Sequence, residues 1–296
     1  MTEALTQLLD TLDLEKIDTN IYRGQTPETR NKRVFGGQVF AQAMRAAQGT
    51  VSDDRMIHSQ HAYFLRPGDP SVPILFEVDG IRDGKSFTTR RVVASQRGKA
   101  IFNTELSFQV RESGLSHQAQ MPDCVGPEEL EDDGIRWAKL RESMDAESQN
   151  RSSANRRSLR PIEIRSVNPL DLVNPTARDP EQLIWLKANG TVEDINGQPN
   201  RPLHHAILAY ASDFNLMGTA LLPHAVNLIS PKLQPASLDH CIWFHDDFRA
   251  DEWLLYAMDS PRSSHARGLS RGSFFTRDGR LVASTIQEGL MRLHKD

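Results

Sequence analysis

The chain repeats itself, and the repeat limits its fold more than any other feature. "GKSFTTRRVVASQRGKAIFNTELSFQ" (84–109) sets over "HARGLSRGSFFTRDGRLVASTIQEGL" (265–290) without a gap. That alignment puts Arg90 on Arg271, Gly98 on Gly279 and Thr104 on Thr285. Each copy is two β-rich runs about a polar turn, "SQRGK" in one and "TRDGR" in the other. Arg-Gly or Asp-Gly between such runs predicts a β-hairpin. Further upstream, "HSQHAYFLR" (58–66) answers "SLDHCIWFH" (237–245) and pairs His61 with His240. These phrases lie two residues out of the first register, which predicts an insertion or bulge in the second copy.

A helix precedes the strands in each half. In "GGQVFAQAMRAAQG" (36–49) Val39, Phe40, Ala43, Met44 and Ala47 make one stripe, and in "LHHAILAYASDFN" (203–215) Ala206, Ile207, Tyr210, Ala211 and Phe214 make another. That spacing is one face of an α-helix. Asn200 followed by Pro202 marks a helix start, and Gly36-Gly37 lets the first helix approach other backbone closely. "PIEIRSV" (161–167) and "QLIWLKANG" (182–190) read as strands before the second helix. The fold class is α+β, with a helix on a curved antiparallel sheet occurring twice in one chain, as a pseudo-dimer. The expected division is 1–110, a polar link 111–160, and 161–296. The link holds an acidic run, "EELEDD" (128–133), and a basic run, "RSSANRRSLR" (151–160), both expected to be solvated surface.

Composition narrows the classes. With 38% hydrophobic residues the chain can bury a sizeable core, and a net charge of −4 gives nothing global for nucleic acid or an anionic membrane. No apolar run approaches the ~20 residues of a membrane span. Two cysteines, Cys124 and Cys241, make no disulfide framework and no metal-ligand spacing. A signal peptide and a peroxisomal "SKL" ending are both missing from the sequence, so the expected location is cytoplasmic. The sequons at Asn150 and Asn189 are then chance matches.

The phrases "VFGGQVFAQA", "HSQHAYFLRPGD", "SDFN", "SLDHCIWFH", "DEWLLY" and "STIQEGLMR" occur in this order. Together they resemble the bacterial acyl-CoA thioesterase II family over essentially the whole chain. The resemblance implies a double hot-dog fold and hydrolysis of acyl-CoA to fatty acid and coenzyme A. No metal or redox cofactor is implied, and a homodimer or homotetramer is. It also implies a water-activating triad, carried by motif onto Asp213, Ser237 and Gln287. Many members have Thr at the position of Ser237, and Ser keeps the hydroxyl while losing the β-branch that restricts χ1.

Those residues make chemical sense. Asp213 falls at the edge of the second helical stripe, where partial desolvation raises a carboxylate's pKa unless hydrogen-bond donors compensate. Ser237 and Gln287 are neutral donors that would orient the carboxylate and a water. Aligned across the repeat, Ser237 falls on His58 and Gln287 on Leu106, and the first helix offers no acid between Gly36 and Gly49. One site per chain follows. Arg66, Arg90, Arg91, Arg267 and Arg271 are open candidates for the coenzyme A phosphates. Other groups carry less. Asp239 and His240 are adjacent on a strand and face opposite ways. His58 and His61 sit beside aromatics, as core histidines do. The pairs His204-His205 and Asp246-Asp247 cannot both turn onto one ion. Ser263, Ser264 and Ser270 lack a nucleophile elbow. Three alternatives stay open: a non-catalytic acyl-CoA-binding regulator, an enoyl-CoA hydratase-type enzyme, and a serine-nucleophile hydrolase.

Overall fold

A computed structural model describes residues 2–27, 32–142, 160–171 and 173–294. Five α-helices occur among the described residues: α1 (Glu3–Leu12), α2 (Gly36–Gln48), α3 (Asp133–Glu142), α4 (Arg201–Ala211) and α5 (Leu216–Thr219). The strands of the first half are β1 (Glu15–Asp18), β2 (Ile21–Gly24), β3 (Arg55–Phe64), β4 (Ile74–Asp83), β5 (Phe87–Gln96) and β6 (Lys99–Val110). Those of the second are β7 (Ile162–Ser166), β8 (Glu181–Ala188), β9 (Leu233–Ser237), β10 (Asp239–Phe244), β11 (Leu254–Ser264), β12 (Arg267–Thr276) and β13 (Leu281–Leu293).

The thirteen strands of the described residues form one sheet, ordered β1-β2-β4-β5-β6-β3-β10-β13-β12-β11-β8-β7, with β9 also on β13. The halves meet at β3 and β10, which pair antiparallel with His61 opposite Cys241. Alternation along β5 and β12 buries one face of the sheet, and α2 and α4 cover that face side by side. Phe40 and Ala206 are wholly buried there. α4 begins as Asn200 accepts from the Leu203 N–H at 3.3 Å, with Pro202 in its first turn. α2 has no side-chain cap of its own.

The ladders correct the gap-free repeat. Arg90 stands opposite Leu106 in β5–β6, whereas Ser270, not Arg271, stands opposite Gln287 in β12–β13. Arg90 is buried and Arg271 exposed, so they occupy opposite faces. The cause is the hairpin. Two residues, Arg97 and Gly98, separate β5 from β6, and a longer turn through Gly279 separates β12 from β13. Gly98 and Gly279 both sit at positive φ, 72° and 86°. Likewise His61 does not match His240, since His61 faces out and His240 is buried; the inward partner of His240 in the first half is Gln60. Each copy has an irregularity here. β3 slips register on β6 between Ile57 and Ser59, and in the second copy Leu238 separates β9 from β10. Ser237 therefore corresponds to Ile57, not to His58.

Two further expectations change. The second helix ends at Ala211 rather than at 215, so Asp213 lies in a turn beyond it. The acidic run is not simply solvated. Glu128 pairs with Arg277 at 2.6 Å, and Asp133 accepts from the Ser166 hydroxyl at 2.6 Å, fixing α3 to β7. Of the basic run and the Asn150 sequon, only Arg160 lies within the described residues.

Buried histidines give the fold a pH dependence. His240 bonds the Ser212 hydroxyl at 2.8 Å, and burial holds its pKa down to about 3. His205 lies against Phe244 and Phe248, and burial holds it down to about 4. Both values fall below the unfolded value near 6.5, so protonation favours the unfolded chain. Their stabilisation is complete above pH ~6.5 and is lost as pH falls toward those folded values. At pH 5 each costs roughly 2 kcal/mol. The urea midpoint is expected to fall between pH 7 and pH 5, and less so in His205→Phe. Equal midpoints at the two pH values would contradict this assignment.

Candidate active site

Asp213, Ser237 and Gln287 come together from three different elements. Gln287 lies on the buried face of β13 and is 1% exposed, so its amide is held inside the sheet. Its Nε2 donates to Asp213 Oδ1 at 2.8 Å and to Ser237 Oγ at 3.2 Å. Ser237 ends β9, opposite Gly289 of β13, which places its hydroxyl on the same inward side. Ser237 thus accepts from the glutamine and does not donate to the aspartate, contrary to the expected role.

The second donor to Asp213 comes from the other half of the chain. The Gly37 N–H at the start of α2 donates to Oδ2 at 2.9 Å. A carboxylate from the second repeat therefore caps the positive end of a helix in the first. Two glycines allow it. A Cβ on Gly36 would lie 2.8 Å from Asp213 Oδ2, and one on Gly37 would lie 2.4 Å from the Tyr210 carbonyl oxygen. The sequence carried a signal for this, the Gly36-Gly37 pair, but not the identity of the backbone it approaches. Burial pushes the Asp213 pKa up to about 6, and the bonds from Gln287 and Gly37 pull against burial without cancelling it. Phe35 packs on Tyr210 and Phe214 beside the carboxylate, with centroids 5.1 and 5.0 Å away. At pH 7 this is an ionised carboxylate with one desolvated flank, chemically able to accept a proton.

A cavity of about 1110 Å³ opens on Asp213 and Ser237. Its wall on the first-repeat side includes Lys32, Arg33, Phe64 and Arg66. On the other side α3 presents Asp133, Arg136, Trp137 and Leu140, one face of a helix, across from Ile164 of β7 and Gln182 of β8.

The remaining candidates have other work. His58 bonds Ser107 at 2.8 Å, and His61 lies edge-on to Trp243. Asp239 accepts from the Glu288 N–H at 2.6 Å, away from His240. His204 accepts from the Ala250 N–H at 3.0 Å, and Asp246 and Asp247 pair with Arg280 and Arg111. Among the described residues no three His, Cys, Asp or Glu side chains gather as metal ligands, and no helix is long and apolar enough to cross a membrane. Of the five arginines, Arg90 bonds Thr50 and Asp83 inside the first repeat, while Arg91, Arg267 and Arg271 pair with Glu105, Glu288 and Asp259. Arg66 alone of the five lines the cavity.

Comparison with known proteins follows the same lines. Residues 26–109 match the model of the acyl-CoA thioesterase N-terminal domain, and residues 164–290 match that of acyl-CoA thioesterase. The chain is 39% identical to acyl-CoA thioesterase 2 of Haemophilus influenzae, covering 99% of each. It superposes on the crystal structure of an acyl-CoA thioesterase II from Mycobacterium marinum with a TM-score of 0.77 at 37% identity, covering 99% of each. A hot-dog-fold protein from Alicyclobacillus acidocaldarius, at 21% identity and a TM-score of 0.73, covers 100% of each chain and shares the fold.

Proposed function

The chain belongs to the acyl-CoA thioesterase II family, with the double hot-dog fold and the hydrolase activity that membership carries, and from that premise we propose that Asp213, Ser237 and Gln287 activate a water for attack on the thioester of a fatty acyl-CoA. The observation that carries this reading is the Asp213 carboxylate, raised toward neutrality and held by two neutral donors at the cavity wall.

In the proposed reaction a water lies between Asp213 and the thioester carbonyl, oriented by the Ser237 hydroxyl. Asp213 takes one proton as the water oxygen bonds the carbonyl carbon. The resulting tetrahedral species breaks its C–S bond, and the coenzyme A thiolate, whose conjugate acid has a pKa like that of cysteine, ~8.5, leaves and takes up the proton from Asp213, which returns to its ionised form. Positioning supplies much of the rate, because a thioester is already electrophilic. The positive dipole end of α2 lies on the same wall and favours the charge that develops on the carbonyl oxygen.

Ser237 as a covalent nucleophile has less support, since its hydroxyl is bonded to an amide, and an amide is no base. A hydratase would need a histidine with a carboxylate at the substrate, and His240 is bonded to Ser212 instead. We further propose a homo-oligomer, dimer or tetramer, supported by the exposed Tyr63 and Leu65 at the end of β3.

The test is release of free thiol from a chain-length series of acyl-CoAs. Binding without release would leave only the regulator reading. The pH profile adds a second check. Asp213 must be ionised to act, and its pKa is raised to about 6. Activity as kcat/KM is expected to climb as pH rises through about 6 and to level above it. A profile flat from pH 5 to pH 8 would remove Asp213 as the base.

A further inference from the structure

We propose that Lys32, Arg33 and Arg66 form the subsite that holds the phosphates of coenzyme A, so that the nucleotide lies on the first repeat and the acyl chain under α3. This rests on the thioesterase reading above and deepens it.

The backbone gathers these three cations. Val34 donates to the Gly68 carbonyl at 2.9 Å, which ties the Lys32–Arg33 stretch to the turn two residues beyond Arg66. Leu65 and Arg66 both donate to the Ile101 carbonyl, at 2.9 and 3.1 Å, which fixes that turn against β6. The Arg66 Nη1 donates to the Ala100 carbonyl at 2.6 Å, and its other nitrogens find no protein acceptor among the described residues. None of the three cations pairs with a carboxylate among the described residues. The nearby Asp69 is engaged by Arg97 at 2.9 Å. In a chain of net charge −4, three cations without a carboxylate partner among the described residues, gathered on one cavity wall, make a local anion site.

The cations at the opposite end are different. Arg136 pairs with Asp133 at 3.1 Å, and Arg160 feels both Asp132 and Asp133. The ion pairs neutralise that end, and apolar side chains such as Trp137, Leu140 and Ile164 line it beside the polar Ser166 and Gln182. The order of strands places the triad between the ends. β3 and β6 lie on one side of β13, and β8 and β7 on the other.

The distances fit the substrate. Phe64 donates to the carbonyl of Leu238, next to Ser237, at 2.9 Å. Arg66 follows two residues later in the bend after β3, at most ~7 Å further along the chain, plus the reach of its own side chain. In coenzyme A the pantetheine arm spans the same kind of gap between thiol and diphosphate. Arginine suits the branched oxygens of a diphosphate, and flanking lysine and arginine suit a separate 3′-phosphate.

The experiment compares two thioesters of one acyl chain. One is the acyl-CoA. The other is the N-acetylcysteamine thioester, which keeps the reacting group and lacks every phosphate. The readout is the ratio of their kcat/KM values in wild type, Arg66→Gln and the triple variant Lys32→Gln/Arg33→Gln/Arg66→Gln. The ratio is expected to fall about 10-fold in the single and about 100-fold in the triple variant, through KM. Arg91→Gln, which alters an exposed pair with Glu105, is the control and should keep the wild-type ratio. A merely structural role would lower both substrates together, and an unchanged ratio would overturn the subsite. Calorimetric binding of adenosine 3′,5′-bisphosphate gives an answer independent of turnover. It should weaken by similar factors in the variants, and equal affinity in wild type and triple variant would also overturn the proposal. If wild type released thiol from neither thioester, the thioesterase reading would fail, while the binding measurement would still decide the subsite.

Discussion

Asp213→Asn is expected to lower kcat by about a thousandfold, within the 10²–10⁴ range of a lost general base, with no loss of thermal stability at pH 7. The two halves of that result come from one physical fact. Burial raises the Asp213 pKa from its ordinary value of 3.8 to about 6, so the folded protein binds this proton more tightly than the unfolded chain. The raised value adds stability at acid pH that is lost as pH rises from about 4 to about 6. At neutral pH the ionised form then costs the fold up to about 3 kcal/mol. Asparagine removes the charge, keeps the shape, and can still accept from the Gly37 N–H. The measurement is thiol release beside a melting curve at pH 7. Full activity in the variant would place the base elsewhere, and collapse of the melting temperature would show that the carboxylate serves the fold.

Gly37→Ala carries the second large effect, on both stability and rate. The added methyl would sit 2.4 Å from the Tyr210 carbonyl oxygen and 2.6 Å from the Phe35 ring. The first contact is backbone, so α2 and α4 must part. Overpacking of this kind costs typically ~1–3 kcal/mol. Parting the helices also lengthens the bond from the Gly37 N–H to Asp213, which raises the carboxylate pKa further. The expected outcome is a melting temperature lower by several degrees and an acid limb of the pH profile shifted upward. A variant with wild-type melting and profile would show that the close approach is not needed.

Much of the fold was legible because duplication writes the same pattern twice. The hairpins of β5–β6 and β12–β13 and the stripe of α2 follow from periodicity and turn residues. The one-residue offset did not follow, because Arg90 and Arg271 make an attractive alignment that only burial refutes. β1 and β2 escaped notice. They are four residues each, joined through Asn20 at φ 58°, and their apolar content is slight. α3 was hidden in a polar segment whose helix faces solvent on one side and the cavity on the other. Within the candidate site, resemblance named the three side chains, and local chemistry made them reasonable. The Gly37 donor could not be read, since it depends on how two distant helices pack. The cation cluster was half legible. Arg66 stood among five equal candidates until ion pairs removed four of them.

The pairing of His61 with Cys241 at the centre of the sheet marks the axis that relates the two halves. Were the halves separate identical subunits, every substitution would appear on both sides of that axis at once. Ser270 beside Gln287 and Arg90 beside Leu106 occupy equivalent places, and no single gene for one half could encode both. Joining the halves into one chain releases that symmetry. One position is free to keep a small neutral residue beside Gln287, and its counterpart is free to close over with a guanidinium tied to Asp83 and Thr50. Covalent connection is therefore more than a tether, because it lets one former twin gather Asp213, Ser237 and Gln287 while the other supplies the Gly37 donor that holds Asp213.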